Sequence, residues 1–175
     1  ENELLSFNPG VGIPASFFNA DETVHQGVEF ALDWEIADGW LLRQSYTYSD
    51  FFFDGDPTYG NNQMPVAPEH QYRAMVRYTN QAGWFIAPSV EWRASDTWVD
   101  YANTFEAPGY TIWSLNAGWD FDNGVSVFVD VRNLADEAYV PEFGAITDAS
   151  AVGANTAVFY PGEGRSAYGG VAYRF

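Results

Sequence analysis

From His25 onward, apolar and polar residues alternate along the chain, the pattern of strands with an apolar medium on one side only. Over 27–36, Val28, Phe30, Leu32, Trp34 and Ile36 point one way, and Glu29, Ala31, Asp33 and Glu35 the other. A tight turn at 37–39 leads into a second strand, 40–53. There Trp40, Leu42, Tyr46 and Tyr48 share a face, opposite Arg43, Ser45, Thr47 and Ser49. Folding this hairpin sets Asp33 directly across from Arg43 on the polar side, a favourable cross-strand pair. The alternation repeats over 72–78, 84–93, 111–121, 125–132 and 166–175, and Asp122-Asn123-Gly124 is a strong hairpin signal. With a partial strand over 1–7, the pattern predicts about eight strands, each close to the ~9–11 residues that cross a bilayer at a tilt.

The connections alternate too. Short turns at 37–39, 80–83 and 122–124 separate long segments at 8–22, 54–69, 95–109 and 133–163. Short turns at one end and long loops at the other is the layout of an outer-membrane barrel, with the short turns and the C-terminus periplasmic. Trp40, Trp84, Phe121 and Phe175 fall beside the short-turn end, as an interfacial aromatic girdle would. Six of the seven Arg fall on the polar face, away from lipid. The expected fold class is therefore all-β, a transmembrane antiparallel β-barrel. A soluble β-sandwich would also alternate, but it explains neither the loop asymmetry nor the aromatics at strand ends.

Composition sharpens this picture. Aromatic residues make up 18% of the 175 residues, more than one small core can hide, yet mean hydropathy is only −0.23. There is no cysteine, so disulfides and thiolate metal sites are excluded. The 24 acidic residues against 7 basic ones, a net charge of −17, exclude a nucleic-acid binder, which needs a basic footprint. The chain opens at Glu1 in strand-like sequence without a leader, so it is expected to be a mature chain or, in preference, a fragment of a longer exported protein.

Several stretches resemble the C-terminal part of TonB-dependent outer-membrane receptors: TVHQGVE at 23–29, MPVAPEH at 64–70, VDYANT at 99–104, VRNLADEAY at 131–139, and PGEGRS at 161–166 with the ending YRF. The resemblance runs through nearly the whole chain in the expected order. It implies a barrel of about 22 strands whose lumen holds an N-terminal plug, with this chain as the C-terminal portion, lacking plug and N-terminal strands. It also implies import of a siderophore–iron complex or similar bulky nutrient, powered by the TonB–ExbB–ExbD complex. The terminal Val171, Tyr173 and Phe175 resemble the signal read by the barrel-assembly machinery, and they equally suit a lipid-facing last strand.

On this reading Glu29, Asp33, Arg43, Arg73 and Arg77 line the lumen and face the plug, together with Glu91, Arg93, Asp130 and Arg132. Aromatics in the long segments, Phe17, Phe18, Tyr59 and Trp98 with Tyr101, Phe105, Phe143 and Tyr160, either contact the small-molecule solute or pack loop on loop. The acidic loops attract divalent cations that bridge lipopolysaccharide phosphates. His25 and His70, the latter beside Glu69, are conceivable metal ligands, but a hydrogen-bonding role at a strand end is favoured. Asp54 and Asp56 lack the full spacing of a calcium loop. No catalytic constellation, metal site or cofactor is expected. The competing function is structural, a free-standing eight-stranded barrel with an envelope or adhesion role. Such a barrel needs bulky or paired interior residues, whereas Ser45, Ser89, Ser114, Ser126 and Gly170 are small and suit a wide, plugged lumen.

Overall fold

In the computed structural model, residues 3–10 and 12–175 are described, and their regular structure is entirely β. A ribbon of β1 (Glu3–Phe7) and β2 (Ser16–Ala20) comes first. The main strands follow as β3 (Thr23–Ala37), β4 (Trp40–Phe53), β5 (His70–Thr79) and β6 (Trp84–Arg93). After the ribbon of β7 (Thr97–Trp98) and β8 (Glu106–Ala107) come β9 (Tyr110–Asp120) and β10 (Val125–Arg132). A third ribbon, β11 (Glu142–Phe143) and β12 (Phe159–Tyr160), precedes the last strand, β13 (Ser166–Tyr173). Seven strands form one antiparallel sheet in the order β13-β10-β9-β6-β5-β4-β3. Sequential strands are neighbours throughout, an up-and-down wall. Its edges are β3 and β13, so the sheet is open rather than closed on itself.

The strand expected over 1–7 forms over Glu3–Phe7 but pairs with β2 instead of entering the wall; Glu1 and Asn2 lie outside the described residues. The wall accordingly has seven of the anticipated eight strands. Leu5 and Ala20 draw this ribbon into a buried cluster at the long-loop end.

Register assigns the faces. Val28, Phe30 and Trp34 stand opposite Tyr48, Tyr46 and Leu42, and Ile86, Pro88 and Val90 opposite Ala117, Leu115 and Trp113. In a soluble fold this face would demand a covering layer, but here it is bare: Val28 is 61% exposed and Val171 76%. Trp40 packs on Tyr78 (4.7 Å between centroids), Tyr78 on Trp84 (5.3 Å), and Trp119 on Phe121 (5.1 Å), an aromatic band beside the short turns. Polar residues on the apolar face find partners: Gln44, between Leu32 and Ala74, accepts a hydrogen bond from the Tyr72 hydroxyl at 2.8 Å, and towards the long-loop end Gln26 donates to Asp50 at 2.7 Å.

Each short turn carries a left-handed glycine, Gly39 (φ 76°), Gly83 (φ 88°) and Gly124 (φ 83°), the conformation that a tight hairpin requires. The carbonyl of each accepts a hydrogen bond from the strand end beyond, at Thr79, Asp120 and Arg174 (2.8–2.9 Å). On the polar face Phe85, Gly118, Phe128 and Gly170 form one cross-strand row over β6, β9, β10 and β13. The rings of Phe85 and Phe128 lie over Gly118 and Gly170, where a β-carbon would overlap them. We therefore expect Gly170→Val to destabilise the wall by about 1–3 kcal/mol. Adding Phe128→Ala should recover part of that loss, as read by denaturant unfolding of the bilayer-embedded protein.

Candidate functional site

The register brings all nine charged residues anticipated for the lumen to one face. Asp33 faces Arg43, which faces Met75. Ser45 faces Arg73, which faces Glu91, and Asp130 lies between Asn116 and Tyr168. The Arg43 guanidinium donates twice to Asp33, from Nε at 2.9 Å and from an Nη at 2.8 Å. Arg73 Nε reaches Glu91 at 3.2 Å, and the Tyr110 hydroxyl donates to the same carboxylate at 2.8 Å. Arg132 lies 3.3 Å from Asp130 and 4.9 Å from the Tyr168 ring centre, and Arg77 lies 3.8 Å over Phe85. Glu29 stands opposite Thr47. These side chains are half exposed, so each pair contributes little alone. Their effect is a polar surface with three of its charge pairs joined, around a depression of about 410 Å³ floored by Ala31, Ser45, Met75 and Ser89.

Arg93 behaves differently from the other eight. It is 7% exposed and straps the last long segment to the wall, donating to the carbonyls of Val140 (3.3 Å) and Pro141 (2.8 Å). Its neighbours Val66, Gln71, Phe143 and Tyr160 line a recess of about 450 Å³ at the long-loop end.

That end holds the buried core. In one cluster Leu5, Ala20, Phe53, Met64 and Tyr101 are buried, with Phe18 and Tyr59 against them. In the other, Val99, Ala107, Phe143, Ile146 and Val158 are buried, with Phe105 and Phe159 alongside. Five of the eight loop aromatics, Phe18, Tyr59, Tyr101, Phe105 and Phe143, thus pack loop on loop. Phe17 stands opposite Ser6, on the other side of the ribbon from Leu5, and is 61% exposed; Tyr160 is 60% exposed. Trp98 is half-buried, its indole N–H donating to Gln63 at 3.2 Å.

Tyr101 sits at the centre of the first cluster, its hydroxyl donating to the Ser6 carbonyl at 2.9 Å. Burial, reinforced by the charges of Tyr59 and Glu3, pushes its pKa up to about 12. Both histidines are engaged: His25 contacts Glu3 at 3.1 Å and stacks on Phe51, and His70 meets the Tyr46 hydroxyl at 2.9 Å. Asp56 is buried and caps its own turn, accepting from Thr58 (2.8 Å) and Tyr59 (2.9 Å).

Sequence reasoning passed over the asparagines and Asp100. Asn133, 1% exposed and at φ 49°, donates to the carbonyls of Glu137 (2.9 Å) and Glu163 (3.0 Å) and accepts from the Glu137 N–H (2.8 Å). The Gly162 N–H reaches the Tyr139 carbonyl at 2.9 Å, and the Arg165 N–H reaches Asp136 at 2.8 Å. VRNLADEAY and PGEGRS are thus the two halves of one clasp that ties the end of β10 to the start of β13. The available signal was the amide side chain, which tolerates the left-handed region and bonds its own backbone.

With the geometry in hand, comparison with known proteins is direct. Residues 1–134 match the family model described as TonB dependent receptor-like, beta-barrel. The chain belongs to that family, which is one of receptors rather than enzymes. A probable TonB-dependent siderophore receptor of Acinetobacter baumannii, PiuA, is 27% identical over 144 residues, covering 72% of this chain and 18% of that protein. The ferrioxamine B receptor of Salmonella typhimurium is 26% identical over 163 residues, covering 88% and 22%. Among solved structures, the ferric yersiniabactin uptake receptor FyuA of Yersinia pestis superposes with a TM-score of 0.70 at 21% identity, over 89% of this chain and 24% of that one. This chain therefore spans about a fifth of the length of the curated relatives it matches, and its wall is one part of a larger barrel.

Two outcomes follow from the buried polar groups. The Tyr101 pKa is raised above the ordinary 10, so the folded state holds the proton more tightly than the unfolded chain. Its stabilisation is complete below pH 10 and is lost as pH rises towards about 12. Tyr101→Phe should flatten that loss, as read by unfolding at stepped alkaline pH. Asn133→Ala should cost about 2–4 kcal/mol, through unpaired buried carbonyls and a β-carbon in the left-handed region. Asn133→Gly should recover only the backbone share.

Proposed function

We propose that this chain is the C-terminal wall of an outer-membrane receptor that imports a ferric siderophore or a similarly bulky nutrient. The observation that carries this reading is the polar face. Along it Ser45, Ser89, Ser114 and Ser126 are too small to fill a closed interior. A wall of that kind suits a wide lumen occupied by a separate plug domain. Family membership and the siderophore receptors among the relatives support the cargo class: the PiuA protein, the ferrioxamine B receptor and a ferric-pyoverdine receptor of Pseudomonas putida.

In this reading the short turns, the aromatic band and the C-terminus face the periplasm. Eight charged residues of the polar face meet the plug, Arg93 being taken up by the loop strap, and the TonB–ExbB–ExbD complex supplies the energy. Val171, Tyr173 and Phe175 present an exposed apolar ending to the barrel-assembly machinery, and the acidic loops meet lipopolysaccharide through divalent cations. Ligand contact falls to Phe17, Trp98 and Tyr160, which keep accessible rings. Phe18, Tyr59, Tyr101, Phe105 and Phe143 serve as the frame that holds them.

The reading is tested by uptake of labelled iron, offered as ferrioxamine B, as pyoverdine or as ferric citrate, in cells expressing the full-length protein. Uptake of at least one complex should require both this protein and TonB. In that uptake, Trp98→Ala with Tyr160→Ala should weaken binding by about tenfold. Uptake that persists without TonB, or no uptake of any iron complex, would sink the proposal.

A further inference from the structure

Asp100 is fully buried, and no cation pairs with it among the described residues. Four donors satisfy its carboxylate instead. Oδ1 accepts from the N–H of Thr104 (2.8 Å) and Phe105 (3.0 Å), and Oδ2 from the Thr104 hydroxyl and the Ala149 N–H (2.9 Å). Three of these donors lie in the segment joining β6 to β9. The fourth lies in the segment joining β10 to β13, far along the chain. A buried carboxylate needs such a full set of donors, because losing them leaves a charge in a poorly solvating interior.

Around this point the long segments are woven together. Ile146 donates to Val99 (3.1 Å), Tyr101 to Ile146 (3.0 Å) and Ala102 to Thr147 (3.0 Å). Asn103, held at φ 56° by the Asp100 turn, clasps the segment joining β4 to β5: its amide accepts from the Gln63 N–H (2.8 Å) and donates to the Gln63 carbonyl (2.9 Å). Val66 donates to the Trp98 carbonyl at 2.9 Å.

We propose that Asp100 is a positioning residue that locks the loops after β4, β6 and β10 into one body, so that the mouth moves as a unit. Trp98 and Tyr160, on different loops, are then held at a fixed spacing. The consequence for ligand binding rests on the receptor reading above; the lock itself does not.

Hydrogen exchange of the full-length protein in bilayer discs tests the lock without any ligand. Asp100→Asn keeps the shape but turns an amide N–H₂ towards groups that are themselves donors. It should speed exchange in residues 54–69, 97–105 and 143–158 together, by roughly tenfold or more. Asn103→Ala should release 54–69 alone, leaving 143–158 protected, and remains informative if Asp100→Asn does not assemble. Acceleration confined to 97–105 in Asp100→Asn, or equal release of all three loops in Asn103→Ala, would overturn the lock. In iron uptake, Asp100→Asn should raise the half-saturating concentration while keeping the maximal rate. Coordinated exchange in a protein that takes up no iron complex would support the lock and remove only the receptor reading.

Discussion

A backbone amide in hydrocarbon finds no water, so each N–H and C=O of the wall must be answered by a neighbouring strand. The rest of the architecture follows from that requirement. It forces sequential strands edge to edge over β3 to β13, and the side-chain alternation then sorts residues by medium rather than by a buried core. The large apolar side chains left bare on one face are the consequence. Most of the wall's charges fall on the other face, where two pairs meet across strands, Asp33 with Arg43 and Arg73 with Glu91. Gln44 on the apolar face is satisfied by the neighbouring Tyr72 hydroxyl, and Gln26 by Asp50.

Because the wall is a single layer, hydrophobic packing of the ordinary kind is moved to the long-loop end. Both buried clusters sit there, stitched by Asp100, Asn103 and Asn133. Polar side chains are the connecting elements because loops carry backbone groups that no ladder answers. The carboxylate of Asp100 collects N–H donors from two loops, and the amide of Asn133 collects carbonyls from two ends of another. Such networks specify one arrangement only when every member is satisfied, so the mouth is a built structure rather than a fringe of loose loops.

This division of labour suits a receptor wall. The polar face gathers most charges of the wall, and the long-loop end leaves the rings of Phe17 and Tyr160 exposed.

The sequence by itself determined what depends on period and neighbours: the strands, their faces, the short turns at glycines, and the Asp33–Arg43 pair. Each is a local rule acting at a separation the chain fixes in advance. It also marked the family through VDYANT and VRNLADEAY, without revealing what those residues do. Only the tertiary structure decided which contacts join distant segments. It paired Glu3–Phe7 with β2 rather than with the wall, buried five loop aromatics expected equally at a ligand, and turned Arg93 from a lumen charge into a loop strap. It also made Asp100 a hub. Those outcomes depend on how loops tens of residues apart fill a shared volume and exchange hydrogen bonds, and no periodicity along the chain encodes that.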